Sequence, residues 1–280
     1  MFKGVITALV TPFKEGHLDE QGFRENIWFQ LEEGADALLA LGTTGEGATL
    51  TPGERKRVIE ILVEESKVPP LVEVGDNSTA RAVTKIQEAE KMGVQGVLAI
   101  APYYNRPTQE GLFRHFEILA AESSLPIILY NQPKRTGVSF TVETLTRLAE
   151  IKNIVGIKDA SGSIPFAAAV MHALPNFLFF AGDDLMALPL MTIGATGVVS
   201  VLSNLMPQKM SEMVRTQDRN LYRELYPFMA FSQVETNPIP IKAMMEKAGL
   251  AAGECRLPLT PLSSENQQKV EAWINSQLVS

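Results

Sequence analysis

Cysteine is almost missing from this chain, and histidine is scarce. With Cys255 alone, an intrachain disulfide framework is impossible and a cysteine-rich metal site is excluded. His17, His115 and His172 lie far apart with no ligand spacing, so no zinc site is expected. Long apolar runs are absent too. None reaches the length of a membrane span, and the stretch after Met1-Phe2-Lys3-Gly4 is too short for a secretory core. Nor is there a surplus of positive charge: 25 Lys and Arg against 32 Asp and Glu leave a formal net charge of −7. The pI of about 5.2 carries no broad footprint for nucleic acid or anionic lipid. These absences predict a reduced, cytoplasmic setting, with or without a trimmed plastid transit peptide, and small molecules as partners.

Among what is present, 45% hydrophobic residues in a chain of 280 allow a sizeable core. Short apolar runs recur at 5–10, 37–41, 71–74, 96–101, 127–130, 154–158, 177–181 and 198–201. Stretches between them, such as 52–66, 79–92, 109–122 and 142–151, carry apolar residues at helical spacing. Thr51-Pro52 reads as an N-cap with proline in the first turn, and Thr108 and Thr141 can cap likewise. The strand runs lack a clean period of two, as expected where helices cover both faces of a parallel sheet. Alternation of this kind predicts an α/β fold, a (β/α)8 TIM barrel over 1–218. An open doubly wound sheet would want fewer strands and a glycine-rich nucleotide turn after the first. Over 221–232, 240–248 and 263–278 the periodicity is helical only, so 219–280 is expected to form a C-terminal helical region.

Lys158 ends the sixth run, Ile154-Val155-Gly156-Ile157, and is followed at once by Asp159-Ala160-Ser161-Gly162. An amine held at the edge of a dry core can lose its proton and attack a ketone, which makes Lys158 a candidate Schiff-base nucleophile. Taken alone, it also fits a lysine whose apolar stem simply reaches water. Other unusual polar residues, however, fall at the same ends of other strands: Thr43 and Thr44 after the second, Tyr104 after the fourth, Tyr130 ending the fifth, and Gly182-Asp183-Asp184 after the seventh. In a barrel these ends make one face. The glycines of Gly42-Thr43-Thr44-Gly45-Glu46-Gly47 suit either a plain tight turn or a nest of N–H groups for a carboxylate. Tyr104 and Tyr130 offer hydroxyls for proton transfer or for anchoring, and Arg135 a planar fork for a carboxylate or a surface charge.

Gly-Thr-Thr-Gly-Glu at 42–46, Pro102-Tyr103-Tyr104-Asn105, Tyr130-Asn131-x-Pro133 and Gly156-Ile157-Lys158 with its tail resemble the pyruvate-dependent class I aldolases of the dihydrodipicolinate synthase and N-acetylneuraminate lyase family. The match runs in order from Gly4 through Asn237-Pro238-Ile239-Pro240 to Leu257-Pro258. Arg135-Thr136-Gly137 points to the dihydrodipicolinate synthase branch, whose arginine meets the carboxylate of aspartate semialdehyde. The resemblance implies condensation of pyruvate with L-aspartate 4-semialdehyde to 4-hydroxy-tetrahydrodipicolinate, the entry step of the diaminopimelate route to lysine, without metal or organic cofactor. It implies that Lys158 forms an imine with pyruvate, while Thr43, Tyr130 and Tyr104 relay protons, Tyr104 into a neighbouring subunit's site of a homotetramer or homodimer. Thr44 would hold the pyruvate carboxylate, Arg135 would receive the aldehyde substrate, Gly182 and Val199 would line the substrate pocket, and Glu46 would align its neighbours.

The sequence departs from the family in two places. Where feedback-inhibited members place polar, imidazole or carboxylate groups for lysine, this chain has Gly47, Pro52, Arg55 and Arg81, with Asn77 and Tyr103 kept. A cation at Arg81 repels an ammonium, so inhibition by lysine is expected to be weak or absent. Glu73-Val74-Gly75-Asp76-Asn77 is also shorter and less glycine-rich than the family's usual pattern. Two competing readings are a pyruvate-releasing aldolase acting on a sugar acid, such as N-acetylneuraminate or a 2-keto-3-deoxy acid, and a barrel that binds ligand without catalysis.

Overall fold

The computed structural model describes the backbone of residues 2–278 and the side chains of residues 2–271. Eight parallel strands close into a barrel: β1 (Gly4–Ala8), β2 (Ala37–Ala40), β3 (Pro70–Glu73), β4 (Gly96–Ile100), β5 (Ile127–Asn131), β6 (Ile154–Asp159), β7 (Leu178–Ala181) and β8 (Gly197–Ser200). Each pairs with its sequence neighbours, and β8 closes on β1 through Gly4 opposite Gly197. The alternation of runs along the chain is thus the barrel order itself. Strand limits differ from the apolar runs by one or two residues at either end.

The strands look uniformly apolar because both faces are dry. Ile6, Leu39, Leu71, Leu98, Ile128, Phe180 and Val199 alternate inward and pack against one another inside the barrel. Their sequence neighbours, among them Val5, Leu38, Val72, Val97, Leu129, Phe179 and Val198, face the surrounding helices in a second, larger core.

Helices α1 (Glu20–Glu32), α2 (Pro52–Glu65), α3 (Thr79–Lys91) and α4 (Gln109–Ala121) follow the first four strands. Thr51 caps α2 in a full capping box with Glu54, and Thr108 caps α4. A single turn, α5 (Pro133–Thr136), precedes α6 (Val142–Ala149), which Thr141 caps. Caps of this kind contribute about 1 kcal/mol each. The ring is completed by α7 (Ile164–Ala173), the short α8 (Ala187–Met191) and α9 (Pro207–Thr216).

Beyond residue 218 come α10 (Arg219–Phe231), α11 (Ile239–Lys247) and α12 (Ser264–Leu278). Ile239, Ile241, Met244 and Met245 of α11 bury against Val10, Ala252, Leu262 and Val270, so the C-terminal helices share a core with the loop after β1. That loop carries a two-residue hairpin, Phe13–Lys14 with His17–Leu18, too short to register as periodicity. Among the described residues no helix is long and apolar enough to cross a membrane.

Candidate active site

Parallel pairing sets the centre of the site. Tyr130 at the end of β5 stands beside Lys158 near the end of β6, and the lysine Nζ lies 4.2 Å from the centroid of the tyrosine ring. Both are buried, Lys158 at 7% exposure. The next pair along, Asn131 and Asp159, turns away from the barrel interior, where Asn131 Nδ2 donates to Asp159 Oδ1 at 2.7 Å. Burial raises the Asp159 carboxyl above its usual range, against hydrogen bonds from Asn131 and Ser161. This outward bond braces the two strand ends without using the inward side chains.

The segment after β2 folds into a compact loop. Leu41 has φ of 65°, Gly47 N–H donates to Gly42 O at 3.2 Å, and Thr11 Oγ1 donates to Gly45 O at 2.7 Å. A Cβ at position 47 would sit 2.0 Å from Leu41 O, so only glycine lets the loop close. The chain there also leans on residues far away in sequence. Asn237 Nδ2 donates to Thr44 Oγ1 at 3.0 Å. Glu46 forms a 2.6 Å ion pair with Lys242 of α11, both side chains almost fully buried, and accepts the N–H of Arg256 at 2.8 Å.

Thr43, Thr44, Tyr130, Arg135, Lys158 and Gly182 line one cavity of about 490 Å³ at the carboxyl end of the barrel, together with Asp183, Glu235 and Asn237. Arg135 reaches its rim because α5 is a single turn ended by Gly137 in the left-handed region, at φ of 73°. Gly182 forms part of the wall. A Cβ there would lie 2.8 Å from that of Ala160. Asp184 beneath accepts the N–H groups of Val201 and Leu202 at 3.0 and 2.8 Å, tying the loop after β7 to the loop after β8. Burial pushes its carboxyl up to about 6.

Val199, expected to line the pocket, stands elsewhere, and Tyr104, expected to serve a neighbouring subunit's site, does not line this cavity. Val199 packs inside the barrel with Phe180 and Tyr130, one layer below the mouth, and Val201 two residues on takes the place at the cavity wall. Tyr104 is 89% exposed, with φ of 74°, and faces outward from this chain's own cavity.

A second cleft, of about 300 Å³, shares Thr43, Tyr130, Arg135 and Asn237 with the first and adds Arg55, Glu73, Lys85 and Tyr103. Arg55 points its Nη2 at the carbonyl oxygen of Glu73, 3.4 Å away, and burial holds its guanidinium below the usual arginine range. Arg81 and Lys85 pair with Asp76 at 2.7 and 2.8 Å, and Arg81 also donates to Asn77 Oδ1 at 2.7 Å. Although burial opposes it, these bonds hold the Asp76 carboxyl down at about 2.

Sequence reading passed over Glu73, Asn237 and Lys242 as site components. For Glu73 a signal existed, a charged residue at an inward-facing strand position; for the other two, only distance in space reveals the partner. Among the described residues, no group of three or more His, Cys, Asp or Glu is placed to hold a metal ion.

The model of the dihydrodipicolinate synthetase family matches residues 1–277. The 4-hydroxy-tetrahydrodipicolinate synthase of Methanothrix thermoacetophila is 44% identical over 280 residues, covering 96% of this chain and 95% of that protein. The solved structure of the 4-hydroxy-tetrahydrodipicolinate synthase from Methylacidiphilum fumariolicum matches with a TM-score of 0.95 at 43% identity, over 98% of this chain and 95% of that one. Dihydrodipicolinate synthase from Aquifex aeolicus matches with a TM-score of 0.96 at 38% identity, over 99% and 98%. By sequence, fold and extent of match, the chain belongs to the dihydrodipicolinate synthetase family.

Proposed function

We propose that the chain condenses pyruvate with L-aspartate 4-semialdehyde to 4-hydroxy-tetrahydrodipicolinate, through a Schiff base on Lys158. The observation that carries this reading is the buried Lys158 amine 4.2 Å from the Tyr130 ring, in a cavity that also gathers Thr43, Thr44 and Arg135. The unprotonated amine attacks the ketone carbon of pyruvate, and loss of water gives an imine whose protonated form withdraws electrons from the methyl group. Removal of a methyl proton leaves an enamine. Its carbon attacks the aldehyde, the new alkoxide takes up a proton, and the amino group of the product displaces Lys158 as the ring closes.

Thr43 and Tyr130 are assigned to proton transfer in these steps, and Thr44 to the pyruvate carboxylate. Arg135 at the rim is assigned to the carboxylate of the semialdehyde, for which its fork is suited. Tyr104, fully presented on the surface in a left-handed conformation, is assigned to the cavity of a neighbouring subunit in a homodimer or homotetramer. The half-buried thiol of Cys255, unpaired and pushed up to about 12 by burial, accords with a reducing cytoplasmic setting.

Incubation with pyruvate and borohydride, followed by peptide mass spectrometry, tests the reading. A reduced pyruvate adduct on Lys158 and turnover of aspartate semialdehyde are expected. No adduct would leave a non-catalytic barrel, and turnover of sugar acids alone would move the chain to the lyase branch.

A further inference from the structure

Besides Lys158 and Tyr130, the barrel mouth holds another ionisable side chain, Glu73, which no role above uses. Glu73 ends β3, two residues after Leu71, which faces the barrel interior; the strand's period of two turns Glu73 inward as well. Its Oε1 accepts N–H groups from Gly75 at 2.7 Å and Ile100 at 3.1 Å. Its Oε2 is buried with no hydrogen-bond partner, and Glu73 lines the second cleft, which shares Thr43 and Tyr130 with the first.

The ionisable groups around it are Lys158 from β6, Lys85 from α3, Arg55 from α2, Tyr130 from β5, Tyr103 after β4 and Asp76 on its own loop. None of the cations bonds to the Glu73 carboxylate. Arg55 meets its backbone, and Lys85 is taken by Asp76. A carboxylate half solvated by two N–H groups and otherwise bare is costly in a core unless a cation forms near it.

We propose that Glu73 is a positioning residue that acts through Lys158, as the fixed counter-charge for the protonated imine. The inference rests on the Schiff-base reading above. A fixed anion favours the protonated imine over the neutral one, and only the protonated form is a strong electron sink. Burial pushes the Glu73 carboxyl up to about 7, against the N–H groups of Ile100 and Gly75 and the charges of Lys158 and Lys85. The counter-charge is therefore present above that pH and lost as pH falls through it.

The test is the pH profile of kcat at saturating pyruvate, where Lys158 is already an imine and its own titration as an amine drops out. Wild-type enzyme is expected to show an acid limb near pH 7. Glu73→Gln keeps both backbone acceptor contacts but no charge, so its profile loses that limb. Its plateau falls roughly tenfold, the scale of a charge interaction across a partly dry site, with a smaller change in KM for pyruvate.

Glu73→Asp keeps the charge and disturbs the backbone contacts, so it retains the limb and lies above Glu73→Gln. A purely structural role predicts the reverse order. An unchanged limb in Glu73→Gln, or an aspartate variant worse than the glutamine one, overturns the proposal. Absence of any borohydride adduct in the wild type would instead sink the Schiff-base reading beneath it.

Discussion

Replacing Lys242 by methionine tests whether the C-terminal helices hold the catalytic loop. Lys242 and Glu46 are 2% and 1% exposed in their side chains and 2.6 Å apart. The ammonium also lies 4.4 Å from the Phe13 ring centroid and 3.4 Å from Glu254 O. Burial holds Lys242 below the usual lysine range although Glu46 opposes it, which marks the site as dry. Methionine fills much of the volume and leaves Glu46 with the Arg256 N–H and the Cys255 side chain as its partners. Removing one member of a buried ion pair costs about 3–5 kcal/mol, chiefly for the charge left behind. In a chain of this size that lowers the midpoint of thermal unfolding by roughly 10 °C.

The double variant Lys242→Met with Glu46→Gln removes the stranded charge and should recover about half the loss, ~2 kcal/mol relative to Lys242→Met alone, so the energies of the two substitutions are not additive in a double-mutant cycle. Urea denaturation at fixed protein concentration gives the energies, and steady-state kinetics gives the functional consequence. Glu46 lies two residues from Thr44, so KM for pyruvate should rise in the single variant while Lys158 still yields a borohydride adduct. Additive energies, or a single variant within 1 kcal/mol of wild type, would show that the pair does not hold the loop.

Lys158→Ala should abolish the pyruvate adduct, whereas Arg135→Ala should leave adduct formation intact and raise KM for the semialdehyde at least tenfold; equal defects toward both substrates would remove the arginine from its assigned place. Lysine should inhibit weakly or not at all, because Arg81 occupies Asn77 and Arg55 fills the neighbouring cleft; sub-millimolar inhibition in a rate assay would contradict this. Glu54, beside Arg256 and against the opposition of burial, is held at about 2 from a usual value of 4.5. The stabilisation it supplies is therefore full above that usual value and lost as pH falls toward 2. Acid unfolding followed by circular dichroism should begin at higher pH in Arg256→Leu than in the wild type, and coincident curves would count against the pair.

Much of the architecture was legible in the chain because a (β/α)8 barrel repeats one local problem eight times. Each strand is buried on both faces and reads as an apolar run; each helix is amphipathic and begins at a residue such as Thr51, Thr108 or Thr141 that can cap it. The hairpin at 13–18 and the single turn of α5 were illegible for the converse reason: two to four residues cannot establish a period.

Local sequence by itself determined which residues stand at strand ends, and so brought Thr43, Tyr130 and Lys158 to one mouth once the strands closed in order. Only the tertiary structure decided how deep each side chain lies and what it meets. It put Val201 rather than Val199 at the wall, left Glu73 Oε2 buried without a partner, and set Asn237 and Lys242 against a loop nearly 200 residues earlier. The physical reason is range: backbone pattern and capping act over a few residues, whereas burial and charge pairing depend on which surfaces the closed barrel brings together.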